Sequence, residues 1–195
     1  MNNRMSTKER KKQITQAAIK IIGEKGLREF TAAQIAQEVG IKDGTIFRHF
    51  KNKDEIVSSV LDNLEEVMAQ TVPSQADDPL EDLGEFFVNR IKVLTSQPGI
   101  RSLVFSDQLI HAGGDAGFKR VMELRKKGRE YIKSCLLDAS KKRLLRQDLD
   151  VDDVLIIFHG IVMGLLFIAR ENVFEGTIDD RTKRVWKTFM SMIRR

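Results

Sequence analysis

Between Thr31 and Lys53 lies a set of side chains whose chemistry suits a polyanion. Lys42, Arg48 and Lys53 are cations that can pair with phosphate or meet the acceptor edge of a guanine. Thr31, Thr45 and His49 add hydrogen-bonding side chains. Asp43 and Gly44 open the segment that carries them, and Phe47 adds an aromatic ring to it. The charge distribution points the same way. Residues 1–53 hold twelve Lys/Arg against five Asp/Glu, whereas the remaining chain holds 21 against 23. A basic head on a near-neutral body suits a head that meets phosphate, although a solvated basic face would give the same count. Arg10, Lys11 and Lys12 are open to the same two readings.

Other chemistries lack their residues. His49, His111 and His159 are scattered and form no metal-ligand spacing. Cys135 is the one cysteine, which excludes an intrachain disulfide and a cysteine-rich zinc site. No catalytic signature and no cofactor motif occurs. Met1 to Lys12 is polar and basic, unlike a secretory signal. The longest apolar stretch, Val154 to Ala169, is interrupted by His159 and two glycines and is shorter than the roughly 20 residues that cross a bilayer. A cytoplasmic protein with no membrane partner is expected.

The elements that position the polar set read as helices. Only Pro73, Pro79 and Pro98 interrupt the chain, and no alternating strand pattern occurs, so the fold class expected is all-α with about nine helices. Ser6 and Glu9 have capping-box spacing ahead of the stripe Ile14, Ala17, Ala18, Ile21 and Ile22, with Gly23 and Gly26 at its end. Thr31 and Gln34 repeat the pattern for a short helix through Val39. Gly40 then stops it, because a tight turn needs a positive φ. A second short helix is expected over Asp43–Phe50. Asn52 and Glu55 cap a longer one with Ile56, Val57, Val60, Leu61 and Leu64 inward. Ile35, Val39, Ile41 and Ile46 form the wedge between the short helices, and Ala36 permits their close approach. Two short helices so held, with the N-terminal side chains of the second projecting, make a helix-turn-helix.

The run Thr31, Ile35, Ala36, Gly40, Gly44-Thr45, Phe47, His49-Phe50 and Lys53 resembles the tetracycline-repressor (TetR) family of one-component regulators. The resemblance covers about a quarter of the chain. It implies that Thr45 faces the DNA and that His49 approaches its backbone. It also implies that Lys53, at the start of the fourth helix, holds a phosphate together with nearby backbone N–H groups. Phe47 stands where the family usually has a tyrosine, so the phenolic contact to phosphate is lost. Lys42 replaces a capping serine or threonine, which leaves the cap to Asp43 and frees Lys42 to reach a base or a phosphate.

The division expected is a head over 1–53, a connecting helix over about 53–69, and a ligand-binding and dimerisation body over 70–195. Its helices are expected at about 80–96, 99–110, 115–142, 151–171 and 178–194, with a Gly-rich turn over 111–117. The helix 151–171 is apolar nearly all round, so burial on several sides is expected. Ile157, Gly160, Ile161, Gly164 and Ile168 make one face, where two glycines allow close approach of a partner helix. Val185, Trp186, Phe189 and Met192 of the last helix join this face in a four-helix bundle across a twofold axis, the arrangement the resemblance implies. Packing of the glycines within one subunit is the alternative.

A cavity for a small, mainly apolar molecule is expected among Phe86, Phe87, Phe105, Phe118, Met122, Tyr131, Phe158, Met163 and Phe167, with Arg90, Gln108 or His159 fixing a polar end. Ordinary core packing is the alternative for most of these residues, and for Cys135 a buried thiol stands against a redox sensor. The leading expectation is a homodimeric repressor that binds double-stranded DNA at a near-palindromic operator and is released by its effector. A ligand-free body serving dimerisation or protein interaction is the competing reading, and a helical enzyme with an incidental basic head is a third.

Overall fold

The computed structural model of the chain describes residues 6–73, 77–105, 107–171 and 175–195, apart from the side chains of 108–110 and 170. Nine α-helices and no strand occur among them. They are α1 (Thr7–Lys25), α2 (Ala32–Val39), α3 (Asp43–Ile46), α4 (Lys53–Ala69), α5 (Pro79–Ser96), α6 (Pro98–Phe105), α7 (Gln108–Lys141), α8 (Val151–Glu171) and α9 (Ile178–Ile193), with one 3₁₀ turn at Leu27–Glu29. The all-α expectation holds. The helices fall into two compact units, Met1–Val67 with Gln97–Leu124, and Met68–Ser96 with Arg125–Arg195. Residues 97–124, expected with the C-terminal body, therefore group with the N-terminal helices.

Glycine explains that grouping. A Cβ on Gly23 of α1 would come within 2.4 Å of the Gly99 Cα of α6, and one on Gly99 would come within 3.0 Å of the Ile19 carbonyl. The two backbones meet at a distance only glycine permits. Gly23, expected at the end of α1, is thus a packing residue, and Gly26 with φ 86° makes the cap. At the other end Ser6 Oγ accepts from the Glu9 N–H while the Glu9 carboxylate accepts from the Ser6 N–H, a complete capping box. The core of this unit is built from Ile14, Ala18, Ile22, Phe30, Ile35, Ile46, Phe50, Val60, Leu64, Ile100 and Leu103. Arg120 ties α7 to α4, donating from Nε to Glu65 at 2.8 Å and from Nη2 to Asp62 at 2.7 Å.

The Gly-rich turn expected over 111–117 is instead a kink inside α7, where Gly114 takes φ 55° and ψ −152°. One positive-φ residue is enough to bend the chain, so no loop is needed there.

In the second unit α5 packs against α8 and α9. Gly84 makes room for Trp186, whose indole would lie 2.9 Å from a Cβ at that position. The C-terminus is pinned by backbone bonds from Arg146 N–H to the Ile193 carbonyl and from Arg195 N–H to the Leu144 carbonyl, each 2.9 Å.

Helix α8 departs from the all-round burial expected of it. Val154, Phe158, Val162, Leu165 and Leu166 are buried, whereas Ile156, Ile157, Met163 and Phe167 on the opposite side are exposed, Ile156 to 68%. By length and composition alone Val151–Ala169 would suffice to cross a bilayer. Its inner side is nevertheless part of a packed protein core, which leaves the outer side to be accounted for.

Candidate nucleic-acid interface

The polar set rests on two capped helices and a turn. Thr31 Oγ1 accepts from the Gln34 N–H at 3.1 Å and starts α2. Gly40 ends it in the left-handed region, φ 72° and ψ 39°, and the Ile41 N–H donates back to the Ala36 carbonyl at 2.9 Å. This six-to-one bond is the Schellman closure, which fixes the entry of the chain into α3. Ile35, Ala36 and Ile46 are buried and hold the two short helices together.

The second helix is shorter than expected. Only Asp43–Ile46 is α-helical, and the chain continues to Phe50 as a tightened turn, with Arg48 N–H donating to the Thr45 carbonyl and His49 N–H to the Ile46 carbonyl. Gly44 and the β-branched pair Thr45-Ile46 are weak helix formers, and i→i+3 bonds close such a segment. Lys42 occupies the N-cap position without a side-chain cap bond. The Asp43 carboxylate accepts from the Gly44 N–H at 2.8 Å, so Asp43 serves the helix start from its first turn instead of from the cap itself.

The side chains on this segment face outward. Lys42, Asp43, Gly44 and Arg48 are exposed, and Thr45 and His49 are half-buried. Phe47 is 53% exposed, an unusual placement for an aromatic ring, whereas Phe50 is core. His49 turns Nδ1 inward, where it is buried without a hydrogen-bond partner.

The start of α4 is held by charge and rings together. Asn52 Oδ1 accepts from the Glu55 N–H at 2.9 Å, and the Glu55 carboxylate accepts from the Lys51 N–H at 2.6 Å and pairs with Lys11 at 3.1 Å. The Lys51 N–H, and then the Lys11 ammonium, hold the Glu55 carboxyl below its ordinary range. Lys11 also lies 4.9 Å from the centre of the Phe50 ring, so it is occupied within the head, while Lys12 is exposed. The ammonium of Lys53 sits 4.7 Å from the centre of the Phe30 ring. Lys11, read from the sequence as meeting phosphate or solvent, is thus engaged inside the head, and Phe30 carries no signal in the sequence because its contact with Lys53 joins residues distant in the chain.

The residues expected around a ligand divide between the two units. Phe86, Phe87 and Phe158 are buried, with Phe87 and Phe158 at 5.6 Å between ring centres and Tyr131 at 4.9 Å from Phe86. His159 uses Nδ1 on the Leu155 carbonyl of its own helix, at 2.9 Å. Phe105, Phe118 and Met122 belong to the other unit and are exposed. Met163 and Phe167, expected inside, are on the exposed side of α8. The Gln108 side chain lies outside the described residues. Cys135 is buried, and burial pushes its thiol up, away from thiolate chemistry. An open groove of about 420 Å³ runs between α5 and α9, lined by Leu80, Gly84, Val88, Trp186 and Met190 among others.

The expected dimer face divides as well. Ile157 is exposed, Ile161 and Ile168 are half-buried, and a Cβ on Gly160 or Gly164 would meet nothing within 4 Å. Neither glycine is therefore a close packing contact among the described residues. On α9 Met192 is exposed and Val185 half-buried, but Phe189 is core and Trp186 stacks at 5.3 Å from Phe87. Phe189 is a correction, since the amphipathic pattern of α9 buries it against its own chain, whereas Trp186 is half-buried. Ile156 and Met163 extend the exposed side of α8 beyond the residues expected there.

Residues 14–60 match the family model described as bacterial regulatory proteins, tetR family. The chain is 29% identical over 182 residues to the fatty acid metabolism regulator protein of Bacillus subtilis (strain 168), an alignment that covers 89% of this chain and 81% of that one. Its fold matches the ketosteroid transcriptional regulator KstR2 of Mycobacterium tuberculosis at a TM-score of 0.76, with 22% identity and 95% of both chains covered. It also matches AibR, solved in complex with isovaleryl coenzyme A and operator DNA, at a TM-score of 0.72, with 17% identity and 94% and 97% covered.

Proposed function

We propose that this chain, which belongs to the TetR family of transcriptional regulators, is a cytoplasmic homodimeric repressor that reads a near-palindromic operator and releases it when a small apolar effector binds. The observation that carries the reading is the outward cationic and polar edge of the helix-turn-helix, seated on the capped helix α2 and the short α3, whose inner residues Ile35, Ala36 and Ile46 are core. Lys42, Thr45 and Arg48 meet base edges, and Phe47 packs against a thymine methyl or the sugar-phosphate edge. Thr31, His49 and Lys53 meet phosphates and set the register, while Asp43 and Gly44 shape the helix start.

Dimerisation uses the outer side of α8. Ile157, Gly160, Ile161, Gly164 and Ile168 are joined there by Ile156, Met163 and Phe167, with Val185 and Met192 from α9. An apolar side with two open glycines suits a second helix at close range, and a twofold axis makes the contact self-complementary. A dimer then presents two recognition helices about 34–36 Å apart, one turn of DNA. Effector binding in the body changes that separation and mismatches the grooves.

The names of the similar proteins, a fatty acid metabolism regulator and a ketosteroid regulator, support an apolar effector. The close ring packing of Phe86, Phe87 and Phe158 favours a second reading, a body that only dimerises. Fluorescence anisotropy of a labelled operator separates the two. Titration with a panel of acyl and steroid compounds is expected to find at least one that releases the DNA. That compound must bind more weakly to the DNA-bound protein, because the coupling is reciprocal. A panel that leaves the complex intact while the DNA affinity is high would leave the dimer-only body as the better account.

A further inference from the structure

The inner side of α5 carries a cation among apolar residues. Leu83, Phe86, Phe87, Ile91 and Leu94 are buried, and Arg90, one turn beyond Phe86, lies on the same side of the helix. Its guanidinium carbon is 4.7 Å from the centre of the Phe86 ring. Nη1 touches the Met68 sulfur, an acceptor too weak to offset a charge, and Nε is buried with no hydrogen-bond partner. No carboxylate pairs with Arg90 among the described residues, in contrast to Arg120, Arg146 and Arg194. Burial alone pushes its guanidinium down to about 10. Arg90 is half-buried, and a charge partly withdrawn from water without a counter-charge is destabilising, whereas methionine or leucine would fill the same space at no such cost.

We infer that Arg90 is the anchor for the anionic head of an amphiphilic ligand, a carboxylate or phosphate monoester whose apolar tail lies against the rings of Phe86, Tyr131 and Phe158. The inference deepens the effector-binding reading above and rests on it. The planar fork of a guanidinium takes either head with two parallel hydrogen bonds, and the weak hydration of arginine makes it the cation best suited to a partly dry site. Tyr131 stands at 4.9 Å from Phe86 and Phe158 at 6.5 Å, so a tail leaving the head meets aromatic faces.

Calorimetry on the full chain tests it with three probes of one tail length: dodecanoate, dodecyl phosphate and dodecanol. Wild-type protein is expected to bind at least one of the two anions and to bind it better than the alcohol; which anion it prefers identifies the head. Arg90→Met is expected to lose about 10- to 100-fold in anion affinity, the usual worth of a charge-assisted pair, with no loss for dodecanol. Arg90→Lys is expected to restore part of it. In the absence of ligand Arg90→Met is expected to melt higher than wild type, since the unpaired charge is gone. Equal binding of the alcohol and the anions, or anion affinity unchanged by Arg90→Met, overturns the anchor and leaves an effector-controlled repressor standing. A lower melting point for Arg90→Met also overturns it, since Arg90 would then be a structural group. Failure of all three probes removes the anchor together with an amphiphilic effector.

Discussion

The Lys53 ammonium lies 4.7 Å from the centre of the Phe30 ring, which joins the first turn of α4 to the residue before the N-cap of α2. A lysine so held keeps its charge at the surface while its stem is confined, and a cation over a ring gains about 0.5–1 kcal/mol at an exposed site. In the proposed function, Lys53 is thereby placed to meet phosphate.

Lys53→Ala is therefore expected to weaken binding to all duplexes alike and to lower the slope of log K against log salt by about 0.9. Thr45→Ala and Lys42→Ala are expected to cost about 1–3 kcal/mol at particular base pairs and to leave the other pairs unaffected. Anisotropy titrations over a salt series, on the operator and on single-base variants, separate these two phenotypes.

Phe47→Tyr is expected to tighten operator binding by about 0.5–1.5 kcal/mol, because a phenol on an exposed ring adds a donor for phosphate. With Phe47 half in solvent, the melting temperature is expected to stay near that of wild type. Unchanged affinity would place the ring edge away from the backbone of the DNA.

Substituting Ile157 and Phe167 together by aspartate is expected to give a folded monomer. Both side chains are exposed in the single chain, so the loss falls on the interface and not on the core. Sedimentation velocity reads the change of mass, and circular dichroism reports the retained helices. A dimer that survived two carboxylates on this side would place the seam elsewhere.

Gly84→Ala is expected to cost about 1–3 kcal/mol, since its methyl would stand 2.9 Å from the indole of Trp186. Trp186 is the one tryptophan, so a shift of its emission reports the displaced ring directly.

The head was legible in the sequence because its signals are local. Caps at Ser6 and Thr31, the stop at Gly40 and the wedge of Ile35, Ala36 and Ile46 all act within a few residues of one another. The body was legible only as helices. The composition of α8 is apolar nearly all round, so its pattern offers a glycine-bearing face without saying how far burial extends; the packing of Phe158 and Leu165 inward leaves Ile156 and Phe167 outward. Phe189 belongs to the chain's own core, and the half-buried Trp186 lies beside it where Gly84 opens a place for the indole, a match between helices a hundred residues apart. The meeting of Gly23 with Gly99 likewise draws α6 to the first unit through two residues that, read singly, suggest only a cap and a turn.

Selection of bound duplexes from a random pool, followed by a salt titration of the winner, tests the central claim most directly. The account predicts an enriched inverted repeat whose half-site centres lie one helical turn apart, bound with a steep inverse dependence on salt. A pool that returned no inverted repeat, or a winner whose affinity did not change with salt, would contradict it.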